Sequence, residues 1–330
     1  MKLLTNMTTS FHDLPRYGDH ADLEKFYKDL GLDGLELMEG GPDERGIVQR
    51  DDVIGVHLRY LHDWIGFWNN NMSYMLAEYG SEEMIRKIIG GLNRQALVKG
   101  FRKNLDFARS YSPEYVVFHV SNETLDQSVT GKTPWKDGEV IEAAIELVNE
   151  IFDNSADSFT LLFENLWWTG LTMTRPEITC RLLEGVNYKN KGVMLDTGHL
   201  LNTNTKIRSP DEACDYIESV LELYRDTSFI KGVHLHMSLS GEYVEKTRAN
   251  PFTLSGDYFE KIIALQSHII KIDTHKPFTT GRINGFLGRL KPEYLVLELI
   301  SGNRDEHARY IREQLGYIDC LPSRSPSVSR

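Results

Sequence analysis

The sequence predicts a single (β/α)8 TIM barrel, and three observations carry that expectation. Eight short apolar runs of strand length are spread along the chain. Several are near-continuous in apolar residues rather than alternating, as in a parallel sheet covered on both faces. Between them lie stretches with apolar residues at helical spacing, so strand and helix alternate as they do around a barrel.

In chain order the runs are Leu3–Asn6, Gly34–Met38, Val53–Leu58, Tyr115–Val120, Thr160–Glu164, Gly192–Asp196, Gly232–His236 and Tyr294–Leu299. Among the helical stretches, Ala21–Leu30 repeats Leu23, Phe26, Tyr27 and Leu30. Met84–Ala108 reads as one long stretch, with Ile85, Ile88, Ile89 and Leu92 followed by Leu97, Val98, Phe101 and Leu105. Val140–Phe152 repeats Ile141, Ala144, Ile145, Val148 and Ile151, and Ala308–Leu315 closes the set. Ser209-Pro210-Asp211-Glu212 opens a further helix, with a serine cap and proline in the first turn. An open doubly wound sheet would show a glycine-rich phosphate loop after its first strand. Met7-Thr8-Thr9-Ser10-Phe11-His12 stands there instead. Two connections, Leu61–Glu83 and Leu239–Ile270, are longer than a barrel needs and are expected to cover the active face. Residues 1–320 are expected to form one domain, and the Ser/Pro/Arg-rich stretch 321–330 a disordered tail.

Composition narrows the function. The 330 residues are 41% hydrophobic and 26% charged, ordinary for a globular chain. Lysine and arginine total 37 against 48 acidic residues, a net charge of −11, which disfavours a broad basic face for nucleic acid. Cys180, Cys214 and Cys320 lie far apart with no CxxC, which argues against a disulfide scaffold and a cysteine zinc site. The N-terminus turns polar after four residues, so no secretory leader is expected. No apolar run approaches membrane-spanning length. A soluble, cytoplasmic protein without membrane partners is the resulting expectation.

The chemistry lies at the ends of the runs. Successive runs finish in His57, His119, Glu164, Asp196 with His199 three residues on, His234 with His236, and Glu298, while the second run contains Glu36. A lone histidine in a strand is ordinarily a satisfied core residue. Six consecutive strand ends carrying imidazole or carboxylate are different, because in a barrel they converge on one mouth. Buried carboxylates without counter-charge repel, whereas imidazole and carboxylate together suit zinc, manganese or iron. Gly198 lets the backbone turn tightly between Asp196 and His199. Asp273-Thr274-His275 adds a second pair, placed on one side by alternation in an extended segment.

On these residues the chain resembles the xylose-isomerase-like TIM-barrel superfamily, from about the first strand to Glu298. That superfamily holds sugar isomerases and epimerases and the AP endonucleases of the endonuclease IV type. Similarity to the isomerase branch implies one metal at Glu164, Asp196, His234 and Glu298, with Glu164 and Glu298 as the acid–base pair. Similarity to endonuclease IV implies three zincs held by His57, His119, Glu164, Asp196, His199, His234, Asp273, His275 and Glu298, matched in type and order. The chain departs from the endonucleases in the long His234–Asp273 segment, in Met237-Ser238-Leu239-Ser240, and in Lys276-Pro277-Phe278-Thr279. These departures argue against DNA as substrate.

Trp64, Trp68, Trp167 and Trp168 follow His57 and Glu164, where aromatic faces can floor a sugar pocket with His236 and Lys276 as polar contacts. Such aromatics equally suit a hydrophobic lid or an oligomer contact. Basic residues near the ends, Arg59, Lys132, Lys136, Arg175, Lys206, Arg208 and Lys276, suffice for one phosphate but not for a duplex-tracking stripe. The first expectation is therefore a metal-dependent sugar or sugar-phosphate isomerase or epimerase acting on a small carbohydrate through one to three divalent ions. The alternative is an endonuclease IV-like multi-zinc phosphoester hydrolase. A metal-binding protein without turnover stands third.

Overall fold

A computed structural model describes residues 1–319; Cys320 and the tail expected at 321–330 lie outside the described residues. Eight parallel strands form a closed barrel: β1 Lys2–Thr8, β2 Gly34–Met38, β3 Val53–His57, β4 Tyr115–His119, β5 Thr160–Glu164, β6 Lys191–Asp196, β7 Ile230–His234 and β8 Tyr294–Leu297. Each strand pairs with its sequence neighbours, and β8 closes on β1 from Lys2 opposite Tyr294 to Thr5 opposite Leu297. All eight correspond to the apolar runs, with boundaries moved by at most two residues.

Alternation along the strands makes two cores. Leu4, Tyr115, Val117, Leu162, Met194, Tyr294 and Val296 fill the barrel interior. Their intervening neighbours, such as Val116, Phe118, Leu161, Phe163 and Leu195, pack outward under the helices. Tyr115 crosses the interior where Gly55 leaves room, since a Cβ there would lie 2.1 Å from the tyrosine ring.

The helices start where capping chemistry allows. The Asp19 side chain accepts from Asp22 N ahead of His20–Asp29, and Ser209 accepts from Glu212 N ahead of Pro210–Leu221. The Met84–Ala108 stretch is corrected: it is two helices, Glu82–Ile89 and Arg94–Tyr111. Gly90 ends the first in the left-handed region, at φ 88°, and the Asn93 side chain caps the second.

The two long connections contain helices of their own: Ile65–Trp68 and Met72–Tyr79 in the first, Gly241–Ala249 and most of Tyr258–Ile272 in the second. They meet each other. The Tyr79 and Tyr258 rings stack at 4.4 Å, and His268 Nε2–H donates to Ser128 O at 2.9 Å, tying the second insertion to helix Leu125–Thr130. No helix among the described residues is long and apolar enough to cross a membrane.

Candidate metal centre

Alternation that fills the barrel with apolar side chains also aims the next inward position of each strand into its mouth. His119 stands above Tyr115 and Val117, Glu164 above Leu162, Asp196 above Met194, and Glu298, just past β8, above Val296. His57 and His234 end β3 and β7 in the same way. Asp196 then caps helix Thr197–Asn202, its Oδ1 accepting from His199 N at 2.6 Å, which returns His199 to the mouth. Gly198 is required here: a Cβ on it would lie 2.0 Å from the His236 ring. Asp273 and His275 arrive on the segment after Tyr258–Ile272, which is fastened to the chain past β7 by paired backbone hydrogen bonds between Met237 and Lys276 (2.7 and 3.2 Å). His275 sits at φ 45°, a left-handed conformation unusual outside glycine, where strain marks functional positions.

These side chains gather into adjoining sets whose ligand atoms lie within 4.8 Å of one another: His57, His119 and Glu164; Glu164, Asp196, His234 and Glu298; His199, His236, Asp273 and His275; and Glu36, His57 and His234. Glu164 joins the first two. Its Oε2 is 2.9 Å from His57 Nε2 and 3.2 Å from His119 Nε2, while its Oε1 is 3.2 Å from His199 Nδ1 and 3.3 Å from His234 Nδ1. Asp273 Oδ2 faces both His199 Nε2 at 3.1 Å and His275 Nε2 at 2.6 Å.

The outer hydrogen bonds decide what the inner nitrogens offer. The Nδ1–H groups of His57, His199 and His275 donate to the carbonyls of Leu58, Asn165 and Glu298 at 2.9, 2.9 and 3.0 Å. His234 Nε2–H donates to Glu36, which also accepts from Tyr115 OH at 2.7 Å. Each ring thereby spends its proton outward and turns a lone pair toward carboxylate oxygens, the arrangement of metal-binding histidines. His234 Nδ1 lies 3.0 Å from Glu298, 3.3 Å from Glu164 and 3.7 Å from Asp196. One N–H cannot serve three oxygens. Ligand atoms around a tetrahedral zinc stand roughly 3.3–3.4 Å apart, close to these separations. The side-chain atoms His119 Nδ1, His236 Nδ1 and Glu298 Oε2 are buried without hydrogen-bond partners.

Electrostatics agree. With protons as the only counter-charges, burial lowers the His57 pKa, but Glu164, Glu36 and Glu298 outweigh it and hold it at about 9. His275 is likewise depressed by burial and held up to about 9, mainly by Asp273. His119 goes the other way: burial wins and pushes it down to about 3, although it faces the same Glu164 oxygen as His57. Burial raises the Glu164, Asp196, Asp273 and Glu298 carboxyls, yet the surrounding imidazoles hold all four below the usual carboxylate range. A shared cation resolves the conflict between His57 and His119, because both then bind as neutral rings.

A family model for the xylose isomerase-like TIM barrel matches residues 25–319. The chain belongs to that family. Among solved structures, this family member resembles a Rhodospirillum rubrum protein provisionally named xylose isomerase, at 11% identity, with 96% of this chain and 99% of that one covered and a TM-score of 0.54. It also matches endonuclease IV from Thermus thermophilus (15% identity, 96% and 98% covered, TM-score 0.48). A third match is 3-keto-D-glucoside 4-epimerase from E. coli (13% identity, 96% and 98% covered, TM-score 0.49). At these identities the likeness speaks for the fold alone. No curated protein matches the chain in sequence.

Within this family member, the nine residues read as ligands lie together in the sets above, and His236, read as a substrate contact, joins them. Its ring stacks on His275 at 3.9 Å, and its Nε2 is 2.9 Å from Asp196. Glu36, whose place beneath His234 had not been read from the sequence, was marked by its inward position in β2. The tryptophans divide. Trp167 is half-buried, its ring 5.1 Å from His199 and its indole nitrogen without a hydrogen-bond partner. Trp64, Trp68 and Trp168, read as pocket aromatics, are buried, each at most 4% exposed. Trp64 Nε1–H donates to Ser121 O at 2.8 Å and Trp68 Nε1–H to Glu146 at 3.1 Å, which spends their polar edges inside the cover. Lys276 Nζ–H donates to Tyr310 OH at 2.8 Å, with its ammonium over that ring. Arg59 pairs with Glu39, Arg175 with Asp137 and Glu177, and Lys206 and Arg208 with Glu245, so acidic neighbours offset these cations.

Proposed function

We propose that this protein is a multinuclear, divalent-metal-dependent phosphoester hydrolase acting on small phosphate esters. The observation that carries the reading is Glu164, wholly buried, with Oε2 facing His57 and His119 and Oε1 facing His234, so that one carboxylate belongs to two ligand sets. A carboxylate so engaged bridges ligand sets. It has no oxygen left for the proton shuttling that a single-metal isomerase asks of its glutamates. That reverses the order of functions expected from the sequence.

His57, His119 and Glu164 would hold one ion, Glu164, Asp196, His234 and Glu298 a second, and His199, Asp273 and His275, with His236 beside them, a third. Ions at such ligands make a bound water acidic and neutralise charge on phosphoryl oxygens. The protein's own part is to hold these ligands oriented and to limit water. His119 and Glu298 alone among these ligands keep more than a tenth of their side chains exposed, at 11% and 13%, so substrate enters on their side. Glu298, just past β8 and 13% exposed, is the ligand carboxylate placed to take a proton from an attacking water. The two insertions that meet beside the barrel mouth favour a small substrate over a duplex. Glu298 also supports a second reading, isomerisation, since a partly exposed glutamate at the mouth suits proton transfer at carbon.

Two assays on protein loaded with zinc or manganese test this. Hydrolysis of small phosphate esters together with more than one ion per chain is the expected result. Deuterium exchange from solvent into ketoses, with one ion per chain and no hydrolysis, would restore the isomerase.

A further inference from the structure

The two insertions do more than cover the barrel: they wall a cavity beside the metal centre. Glu82–Ile89, which follows the first insertion, and Tyr258–Ile272 from the second approach each other near barrel helix Arg94–Tyr111, with Lys87 Nζ 4.2 Å from the Phe259 ring. The cavity holds about 330 Å³, within the range of small-molecule sites. Ile88, Ile89, Leu97, Phe101, Phe259 and Ile262 make its apolar lining. Tyr60 also lines it, and the Tyr60 ring stands edge-on to His119 at 5.1 Å, so one aromatic ring borders both the cavity and a ligand. Arg59, 58% exposed, is the cation of the lining. Gly100 lines it too, in the interior of its helix, where alanine would be about 1 kcal/mol better. A Cβ there would meet nothing within 4 Å.

We propose that this cavity receives the apolar ring of a small phosphate ester whose phosphoryl group lies at the metal centre. The proposal rests on the phosphoester reading above and names its substrate class. In the reaction the bond from phosphorus to the ring-bearing oxygen breaks, a bond from phosphorus to a water oxygen forms, and the water's proton ends on the released alcohol. The lining supplies burial for a ring, and Tyr60, which borders both the cavity and His119, would be the side chain between the ring and the phosphoryl group.

Gly100→Leu on the zinc-loaded full chain is the test, because it fills the cavity and strengthens the helix. Ile262→Trp is a second filling variant from the opposite wall. Filling is expected to raise KM for 1-naphthyl phosphate about tenfold and to leave KM for glycerol 1-phosphate within about twofold. Fluorescence titration with 1-naphthol, which carries no phosphate, reads the cavity separately, with affinity expected to fall about tenfold in both variants. Hydrolysis of neither ester, with naphthol binding that still depends on both positions, overturns the phosphoester reading and supports the cavity as a ring site. Absent naphthol binding, binding indifferent to both variants, or equal effects on the two esters overturns the cavity proposal even if hydrolysis is intact.

Discussion

Replacing Glu36 tests whether the centre is built from behind its ligands. Glu36 is 2% exposed, its carboxylate accepts from His234 Nε2–H at 3.0 Å and from Tyr115 OH at 2.7 Å, and Tyr115 reaches it only because Gly55 has no side chain. Glu36→Gln keeps an acceptor of the same shape but removes the charge that fixes the His234 tautomer. Outer partners of this kind change metal affinity by about 10- to 100-fold, and the isosteric amide belongs at the lower end, about tenfold or ~1.4 kcal/mol. Glu36→Leu removes both acceptors and leaves two buried donors unpaired, each costing about 1–3 kcal/mol in folding stability. Its metal affinity should fall about 100-fold. Chelator competition with zinc and urea unfolding of the metal-free protein separate the two effects. The amide variant should lose affinity with little loss of stability, and the leucine variant should lose both. Wild-type zinc affinity in both variants would refute the claim that Glu36 presents His234.

Asp196→Ala removes both an oxygen facing His234 and His236 and the cap of helix Thr197–Asn202. It should lower metal content by about one ion per chain and stability by ~1 kcal/mol, and unchanged stoichiometry by elemental analysis would count against the ligand assignment. Gly198→Ala puts a methyl group 2.0 Å from the His236 ring and should destabilise by ~1–3 kcal/mol, so an unchanged denaturation midpoint would show that the contact relaxes freely. For pH, His57 and His275 are raised in the metal-free protein to about 9, so their contribution is full below the unfolded value near 6.5 and is lost as pH rises through about 9. Metal binding needs the same rings unprotonated, so the extra stability conferred by zinc should grow from pH 6.5 to 9; a flat difference in Tm between loaded and metal-free protein over that window would contradict this.

The barrel was legible because its physics is repetitive. A strand covered on both faces must be apolar nearly throughout, so Tyr115–His119 and Thr160–Glu164 stand out from amphipathic neighbours, and the polar residue ending each then stands out from the strand. The candidate ligands were legible for the same reason: inward alternation carries Val117 to His119 and Leu162 to Glu164 without any choice by the loops. What escaped depends on local geometry or on contacts distant in sequence. Apolar spacing runs through Met84–Ala108, and Gly90 taking a positive φ and Asn93 capping the next helix divide it. Trp64 and Trp68 follow β3 as pocket aromatics would, but Ser121 and Glu146, far along the chain, draw their indole N–H groups into the cover.

The ligand sets and the insertions answer different questions about one site. Which chemistry is available is set at the strand ends, where Glu164 lies between His57 and His119 on one side and His234 on the other, shared by two ligand sets. Which molecule can reach it depends on helices that a barrel does not need, since the two insertions meet where Tyr79 stacks on Tyr258, and His119 and Glu298 keep the most exposed side chains among the candidate ligands. Metal chemistry suited to a phosphoester combined with an entrance suited to a small molecule is a coherent pairing. A negative substrate needs neither a basic face nor a long groove when the counter-charge lies at the bottom of the site. The net charge of −11 therefore argues against a polyanion tracking the surface but not against a single phosphate bound at the barrel mouth.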